Sequence, residues 1–197
     1  RVAGTLVISG FNSGRVGAYD LRSGDPAWEV AIANPTGRSE LERLVDVGTG
    51  LQVVGNDVYA VGYHGRAVGI DLATGVVIWQ QEISSYSGLG ADFNNVYITN
   101  DFDAVIALTR TAGNQVWRQD ALRLRDLTAP TRYADTLVVG DFDGYLHWLD
   151  PTDGKFLARE RAGSARIGAA PLVVGQNVYV QTDDGAVAAF TLRTDAR

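Results

Sequence analysis

The chain has 197 residues, of which 46% are hydrophobic and 20% charged, a balance that is typical of a folded globular protein and excludes a disordered one. Its 17 Lys and Arg stand against 23 Asp and Glu, and the net charge of −6 argues against nucleic acid as a partner, because phosphate binding depends on basic residues. The chain has no Cys, which excludes disulfides, thiolate metal sites and Cys nucleophiles.

The first ten residues predict a strand at Val2 to Ile8 and lack the charged and then apolar layout of a signal peptide. No apolar run has the length of a transmembrane helix. We expect a chain that begins inside a strand to be part of a longer parent, extended at its N-terminus. Any export signal or lipid anchor would then lie outside this sequence.

A nine-residue motif recurs along the chain. It is Asp20-Leu-Arg-Ser-Gly24-Asp-Pro-Ala-Trp28 in the first copy, recurs at Asp71 to Trp79, and is more divergent at Thr109 to Trp117. The opening residues of the copies fall at 20, 71, 109, 150 and 191, so the intervals are 51, 38, 41 and 41 residues. A period near forty residues built from short strands is typical of the blades of a β-propeller, and the sequence therefore predicts an all-β propeller.

Alternating β-rich runs separated by turns predict four antiparallel strands per blade. The second and third strands are the clearest, and they are predicted at 57–62 with 66–71, 95–100 with 104–109, and 135–140 with 145–150. Counting strands gives three complete blades at about 48–175 and partial blades at 1–31 and 166–197. The first unit lacks its innermost strand in this count and the last lacks its outermost, so we expect an open arc of a ring.

The turns between the second and third strands need a residue with positive φ, which Gly adopts most readily. Four of the five copies have Gly in this turn, at Gly14, Gly65, Gly144 and Gly185. The third copy has Asp103 instead. Because Asp tolerates the left-handed region better than most residues, we expect this turn to be preserved.

Trp28, Trp79 and Trp117 each lie four residues after a turn Gly, and the fourth copy has Ala158 at this position. A row of Trp residues can line a cofactor pocket, but Trp that recurs in one register more often packs blades together, which is the interpretation we favour. The position two residues before the motif is small in four copies: Ala18, Gly69, Ala107 and Ala189. The remaining copy has Trp148 there, and we expect Trp148 to fill the volume missing at Ala158.

The first interval is longer than the others by about ten residues, and the excess forms an inserted loop at 32–50. Within the loop, Ser39 and Glu42 form a capping box before apolar residues at helical spacing, which predicts a short helical turn. A decorated loop on a repeat scaffold is a natural place for function, whereas a long surface insertion is also tolerated without one. The sequence alone gives these two interpretations about equal weight.

Blade topology places the inserted loop on the same face as the turns between the second and third strands. Those turns are rich in aromatic residues and carboxylates: Phe11, Tyr63, Phe102, Phe142, Asp101, Asp103, Asp141, Asp143, Asp183 and Asp184. Aromatic residues among carboxylates can form an anchor patch with an acidic rim. Asp beside Gly is also common turn chemistry, and this interpretation is favoured for any single Asp.

Residues that would indicate catalysis or metal binding are scarce. The two His residues, His64 and His147, belong to no cluster with metal-ligand spacing. The run Asp141-Phe-Asp143-Gly144 is similar to the start of a calcium loop, but Thr152 stands where the closing Glu should be. Neither a nucleophile elbow nor a Walker loop occurs, so we predict no catalytic residue, no metal and no cofactor.

The repeated Asp, Thr or Ser, Gly and Trp resembles the pyrroloquinoline-quinone-type propeller repeat. Two segments, 35–46 (Pro-Thr-Gly-Arg-Ser-Glu-Leu-Glu-Arg-Leu-Val-Asp) and 139–148 (Val-Gly-Asp-Phe-Asp-Gly-Tyr-Leu-His-Trp), resemble more closely the BamB family, lipoprotein propellers of the bacterial β-barrel assembly machinery. The resemblance covers the whole chain and matches the C-terminal part of an eight-bladed family member. It implies a non-enzymatic scaffold, held at the periplasmic face of the outer membrane of a Gram-negative bacterium by an N-terminal lipid.

The resemblance also implies a partner, the periplasmic domains of BamA, and a role in β-barrel insertion. In the family an acidic stretch after Arg-Leu-Val contributes to this contact; Asp46 occupies its first acidic position, and Gly48 stands at the second. We predict that Leu41 and Leu44 are apolar anchors and that Arg43 and Asp46 are orienting charges. The leucines would instead pack the loop onto the blades if the insertion is only structural. Contact with unfolded outer-membrane proteins is left open.

Two other kinds of protein have the same repeat. Quinoprotein dehydrogenases do so, but the residues that bind their quinone and calcium cannot be placed here, and the vicinal Cys pair that many of them carry is missing. A generic propeller that binds a different protein or a sugar polymer stays open as the third class.

Overall fold

The computed structural model describes residues 1–33, 46–47 and 50–192. Its strands form five antiparallel sheets, each with its strands in chain order, and each sheet is one blade. Blade 1 consists of β1 (Val2–Ala3), β2 (Leu6–Gly10), β3 (Arg15–Asp20) and β4 (Pro26–Ala31). Blade 2 consists of β5 (Leu51–Val54), β6 (Asp57–Val61), β7 (Ala67–Asp71) and β8 (Val77–Gln81). Blade 3 consists of β9 (Gly88–Ala91), β10 (Asn95–Thr99), β11 (Val105–Thr109) and β12 (Gln115–Gln119).

The remaining blades follow the same plan. Blade 4 consists of β13 (Thr131–Tyr133), β14 (Thr136–Gly140), β15 (Tyr145–Leu149) and β16 (Phe156–Arg161). Blade 5 has three strands within the described residues: β17 (Leu172–Val174), β18 (Asn177–Gln181) and β19 (Val187–Phe190). The predicted all-β propeller is confirmed as an incomplete arc of blades, and the predicted second and third strands match the observed ones to within one residue at each end.

Blade 1 departs from the strand count made on the sequence, which left this unit without its innermost strand. The structure has a fourth strand there, β1, in which Val2 pairs with Val7 and Ala3 with Leu6. A strand of two residues is too short to show an alternating pattern, so the sequence carries no periodic signal for it.

The turns between second and third strands have the expected backbone in four copies. Gly14, Asp103, Gly144 and Gly185 all have positive φ, between +59° and +88°. Blade 2 is the exception, because the left-handed residue is His64, with φ +51°, and not Gly65. His64 is held in this conformation from two sides: its N–H donates to Ser84 Oγ at 2.8 Å, and its ring stacks on Tyr63 with centroids 3.9 Å apart.

Neighbouring blades share hydrophobic cores, and a Trp residue lies in each of the first three. Trp28, Trp79 and Trp117 are buried in the cores between successive blades. Their indole N–H groups donate to main-chain carbonyl oxygens of the following blade, at 2.9 Å to Leu72, 2.7 Å to Arg110 and 2.8 Å to Pro151. Each of these three blade junctions therefore combines apolar burial with a hydrogen bond.

Each of these Trp rings also lies on a Gly of the following blade. A Cβ atom on Gly75, Gly113 or Gly154 would come within 2.6 Å of the ring carbons of Trp28, Trp79 or Trp117. These glycines have φ between +67° and +74°. The Gly of the motif is therefore required twice, for its left-handed backbone and for the space that the Trp occupies.

The junction between blades 4 and 5 has a different Trp. Trp148 pairs across the strands with Ala158, which exchanges the large and small positions found in the other blades. The Trp148 side chain is 4% exposed, and its ring centroid lies 5.7 Å from that of Phe190 in blade 5. The indole Nε1 has no hydrogen-bond partner in the described part of the chain.

The polar link between blades 4 and 5 is made by Tyr133. Its hydroxyl donates to the Gln176 carbonyl at 2.7 Å and accepts from the Leu192 N–H at 3.0 Å. In blade 2 the corresponding N–H, that of Leu72, bonds directly to the Asn56 carbonyl at 2.9 Å. The Tyr133 hydroxyl therefore lies between the Gln176 carbonyl and the Leu192 N–H, whereas the equivalent carbonyl and N–H of blade 2 bond to each other.

Candidate functional site

The connectors between blades contact the turns of the next blade through one repeated main-chain hydrogen bond. The donors are Tyr63, Asp101, Phe142 and Asp183, and the acceptors are the carbonyls of Asp46 (2.8 Å), Ser84 (3.2 Å), Arg125 (3.0 Å) and Arg166 (2.8 Å), respectively. These four acceptors therefore occupy equivalent positions. The connectors and the turns between second and third strands lie on one face of the arc, which we name the turn face.

Of the four partner-binding residues predicted from the sequence, Asp46 lies on the turn face. It is exposed and forms an isolated antiparallel bridge with Tyr63 of blade 2. The next residue, Val47, is buried in the core between blades 1 and 2. The backbone at Asp46 is thus fixed from both sides. Leu41, Arg43, Leu44 and the predicted helical turn lie outside the described residues.

An aromatic cluster lies beside Asp46. Tyr63, stacked on His64, meets Tyr86 of the next connector edge to face, with centroids 6.4 Å apart. Tyr86 is about half exposed. Burial of its hydroxyl and the charges of Asp103, Asp126 and Asp101 raise the pKa of Tyr86 to about 12. Its phenol therefore stays neutral at physiological pH and can donate a hydrogen bond.

Two further aromatic residues of the turn face are covered by arginines. The Arg123 guanidinium lies 5.9 Å from the centroid of the Phe102 ring, and the Arg125 guanidinium lies 5.1 Å from that of Phe142. Phe102 remains 57% exposed and Phe142 42% exposed. The turn face therefore carries apolar surface with positive charge directly over it, a combination that the sequence did not predict.

Several carboxylates predicted to form an acidic rim have structural roles instead. Asp103 is buried and accepts hydrogen bonds from the N–H groups of Asp126 at 2.9 Å and Leu127 at 2.8 Å, which fixes the connector before blade 4. The exposed Asp183 lies 3.9 Å from Arg166, which is also paired with Asp126 at 2.6 Å. Asp103 is therefore better described as a structural residue of its turn than as part of an acidic rim.

Asp141 is the centre of a buried polar network. It is fully buried and lies 2.8 Å from both His147 Nε2 and Arg125 Nε. Its other oxygen accepts the N–H groups of Asp143 and Tyr145. Burial alone would raise the pKa of Asp141, but the hydrogen bonds from His147 and Tyr145 and the charge of Arg125 lower this pKa to about 2. Asp141 is therefore a permanent anion that holds Arg125 in place.

Sequence reasoning missed the connection of His147 and Arg125 to Asp141. His147 is buried in the middle of β15, so it serves Asp141 as a structural partner. The signal for Arg125 was present in the topology, because a connector that ends beside a turn brings its basic residues to the Asp residues of that turn.

In the described ranges no three His, Asp or Glu side chains come together as a metal site would require. Within the same ranges no helix has the length and apolar character to cross a bilayer.

The repeated blades and their shared junctions define the class of protein, a β-propeller of four-stranded blades, present here as an incomplete arc. The family model described as "Outer membrane protein assembly factor BamB" matches residues 1–119 and 103–197. The chain belongs to this family.

Individual relatives agree with the family match. The chain is 41% identical over 192 residues to the outer membrane protein assembly factor BamB of Pseudomonas aeruginosa, covering 98% of this chain and 50% of the relative. It is 37% identical over 188 residues to BamB of Escherichia coli K12, covering 95% and 48%. The crystal structure of BamB from Moraxella catarrhalis has a TM-score of 0.90 and 28% identity, covering 98% of this chain and 57% of that one. The chain thus spans about half the length of the curated relatives it matches.

Proposed function

We propose that this chain is part of a scaffold subunit that assists the assembly of outer-membrane proteins at the periplasmic face of the outer membrane of a Gram-negative bacterium. The observation that carries the proposal is the family match over nearly the whole chain, with relatives named as outer membrane protein assembly factors. The scaffold has no catalytic role. The buried state of the junction Trp rings and of the Asp141 and His147 pair supports this, because the contacts of these groups are those of structural packing and of a satisfied ion pair.

The partner that we propose is the periplasmic region of BamA, which the inserted loop contacts through Leu41, Arg43, Leu44 and Asp46. Asp46 supports this proposal by its geometry. Its side chain is exposed, while its backbone is fixed by the bridge to Tyr63 and by the buried Val47. A charge that is held in place at the edge of an interface orients a partner and speeds association.

The test is the Asp46→Arg variant of the full-length protein, measured for affinity against the periplasmic domains of BamA. Reversing this charge should weaken binding by about tenfold or more, since like charges across an interface repel. Asp25→Arg is the matched control, because Asp25 is equally an exposed Asp but lies in the turn between β3 and β4, on the opposite face. Binding of Asp46→Arg at wild-type affinity, with an unchanged melting temperature, would contradict the site assignment.

A further inference from the structure

We propose that the connector at residues 121–126 is a second docking element for the same protein partner, with Leu124 as its apolar anchor. This inference rests on the proposed function, because it adds a contact to the interface that Asp46 belongs to. The partner chemistry that fits the connector is a folded domain with an apolar recess bordered by carboxylates.

Leu124 combines two properties that stability does not explain. Its φ is +60°, in the left-handed region that Gly or Asn normally occupies, because a Cβ atom there is crowded by the backbone. Its side chain is 78% exposed, so burial gives no compensation. A residue that strains the backbone without contributing to the core indicates a functional requirement for that side chain.

The connector holds Leu124 on a rigid frame. On its C-terminal side, the Asp103 carboxylate accepts the N–H groups of Asp126 and Leu127, and the Arg125 carbonyl accepts the Phe142 N–H at 3.0 Å. On its N-terminal side, Leu122 is buried in the core between blades 3 and 4. A side chain that is already positioned loses little conformational entropy on binding, which favours affinity.

The surroundings of Leu124 have the composition of an interface hot spot. Arg123 and Arg125, its two neighbours in the chain, lie over the exposed Phe102 and Phe142 rings. Aromatic residues and arginines are enriched where binding energy is concentrated. Because the Leu side chain projects from the surface, the recess must belong to the partner, whereas a small molecule would need a concave site on this chain.

The same surface disfavours a membrane as the occupant. Arg125 is paired with Asp141 and Asp143 at 2.7 and 2.8 Å, so its charge is compensated. Asp126 and the exposed Asp183 lie on this face, and the chain as a whole has a net charge of −6. A sheet of anionic lipid headgroups would meet the net negative charge of the whole face, whereas a protein partner can place single carboxylates opposite Arg123.

The connector is continuous with the surface around Asp46. Tyr63, which bridges to Asp46, contacts Tyr86; Tyr86 is hydrogen-bonded to Asp103, and Asp103 holds the connector. A stable protein contact buries about 800 Å² on each side, which is more than one loop provides. One partner that covers the turn face would therefore contact both elements.

The first experiment measures the affinity of Leu124→Glu in the full-length parent for the periplasmic domains of BamA. We expect a loss of about tenfold or more, because a charge in an apolar recess is left without a partner. Leu21→Glu is the control, since Leu21 is 53% exposed and lies between β3 and β4 on the opposite face. Wild-type affinity in Leu124→Glu overturns the inference.

A second variant separates docking from folding. Leu124→Asn suits the left-handed backbone better, so the melting temperature should rise by about 2–4 °C while affinity falls several-fold, because the apolar anchor is gone. A rise in melting temperature with unchanged affinity overturns the inference.

The same series separates this inference from the proposed function. If neither wild type nor Leu21→Glu binds, the proposed function fails and this inference fails with it. If both bind and Leu124→Glu binds equally well, only this inference fails. Vesicles of phosphatidylethanolamine and phosphatidylglycerol provide the remaining comparison. Loss of vesicle binding in Leu124→Glu without loss of BamA binding would assign the connector to lipid and overturn the protein contact.

Discussion

The blade junctions and the turn face derive from the same repeat but differ in what is repeated. At the first three junctions a Trp N–H donates to a carbonyl of the next blade, at 2.7 to 2.9 Å each time. On the turn face the main-chain bond also recurs, but the residues that provide the acceptor carbonyls are Asp46, Ser84, Arg125 and Arg166. Side chains are therefore repeated where they hold blades together and varied where they point outward, which supports the proposal that the partner contact lies on the turn face.

The largest effect should come from the junctions. Trp117→Ala should lower the free energy of unfolding by about 3–5 kcal/mol, because it leaves a cavity between blades 3 and 4 and removes the bond to Pro151. Urea denaturation of the purified protein measures this change. Phe93→Ala is the control, since Phe93 is 81% exposed and should change stability by less than about 0.5 kcal/mol. Equal losses in the two variants would remove the distinction between junction and surface.

An intermediate effect on stability is expected from the buried polar network around Asp141 on the turn face. Asp141→Asn should cost about 2 kcal/mol at pH 7, because Arg125 and His147 lose a charged acceptor. Since the folded pKa of about 2 lies below the usual Asp value, the contribution of Asp141 is present above about pH 4 and is lost as the pH falls toward 2.

Urea denaturation at a series of pH values tests this expectation. The stability difference between wild type and Asp141→Asn should narrow as the pH falls from about 4 toward 2, following the titration of a carboxylate with a depressed pKa. The exposed Asp25→Asn variant should follow wild type throughout. A difference that stays constant across this range would show that Asp141 does not act through its charge.

The smallest expected effect is the difference in stability between two Trp variants. Trp117→Phe breaks a hydrogen bond of 2.8 Å, whereas Trp148→Phe removes an N–H that has no partner among the described residues. We expect Trp117→Phe to be the more destabilising by about 1 kcal/mol, the net value of one buried hydrogen bond. Thermal unfolding of both variants measures the difference, and equal losses would mean that the Trp117 bond contributes nothing.

The sequence predicted those parts of the fold that depend on local, repeated signals. The second and third strands of blades 2 to 4 follow from alternation, and the positive φ of Asp103 follows from its place in the repeat. Two deviations show where such signals end. β1 has only two residues, and the left-handed residue of blade 2 is His64 because Tyr63 and Ser84 hold it there.

The candidate site was less predictable because its contacts join residues of different blades. Topology placed the inserted loop on the face of the turns, and Asp46 of this loop is observed there in a bridge with Tyr63. The pairing of Arg125 with Asp141 joins two side chains 16 positions apart, so its signal lay only in the topology of connector and turn and not in any periodic pattern. The left-handed Leu124 lies in a connector whose Asp126 and Leu127 N–H groups donate to the Asp103 carboxylate of the preceding blade, and no local pattern signals such a contact.

The acceptor at each Trp junction is a main-chain carbonyl, belonging to Leu72, Arg110 or Pro151. Every residue type supplies that oxygen, so mutation at these three positions leaves the acceptor in place. One blade can accumulate mutations there without compensating mutations in its neighbour. A gene that grew by duplication of such blades is thereby free to diversify each copy separately, and this is how a ring of similar parts can come to carry one loop unlike all the others.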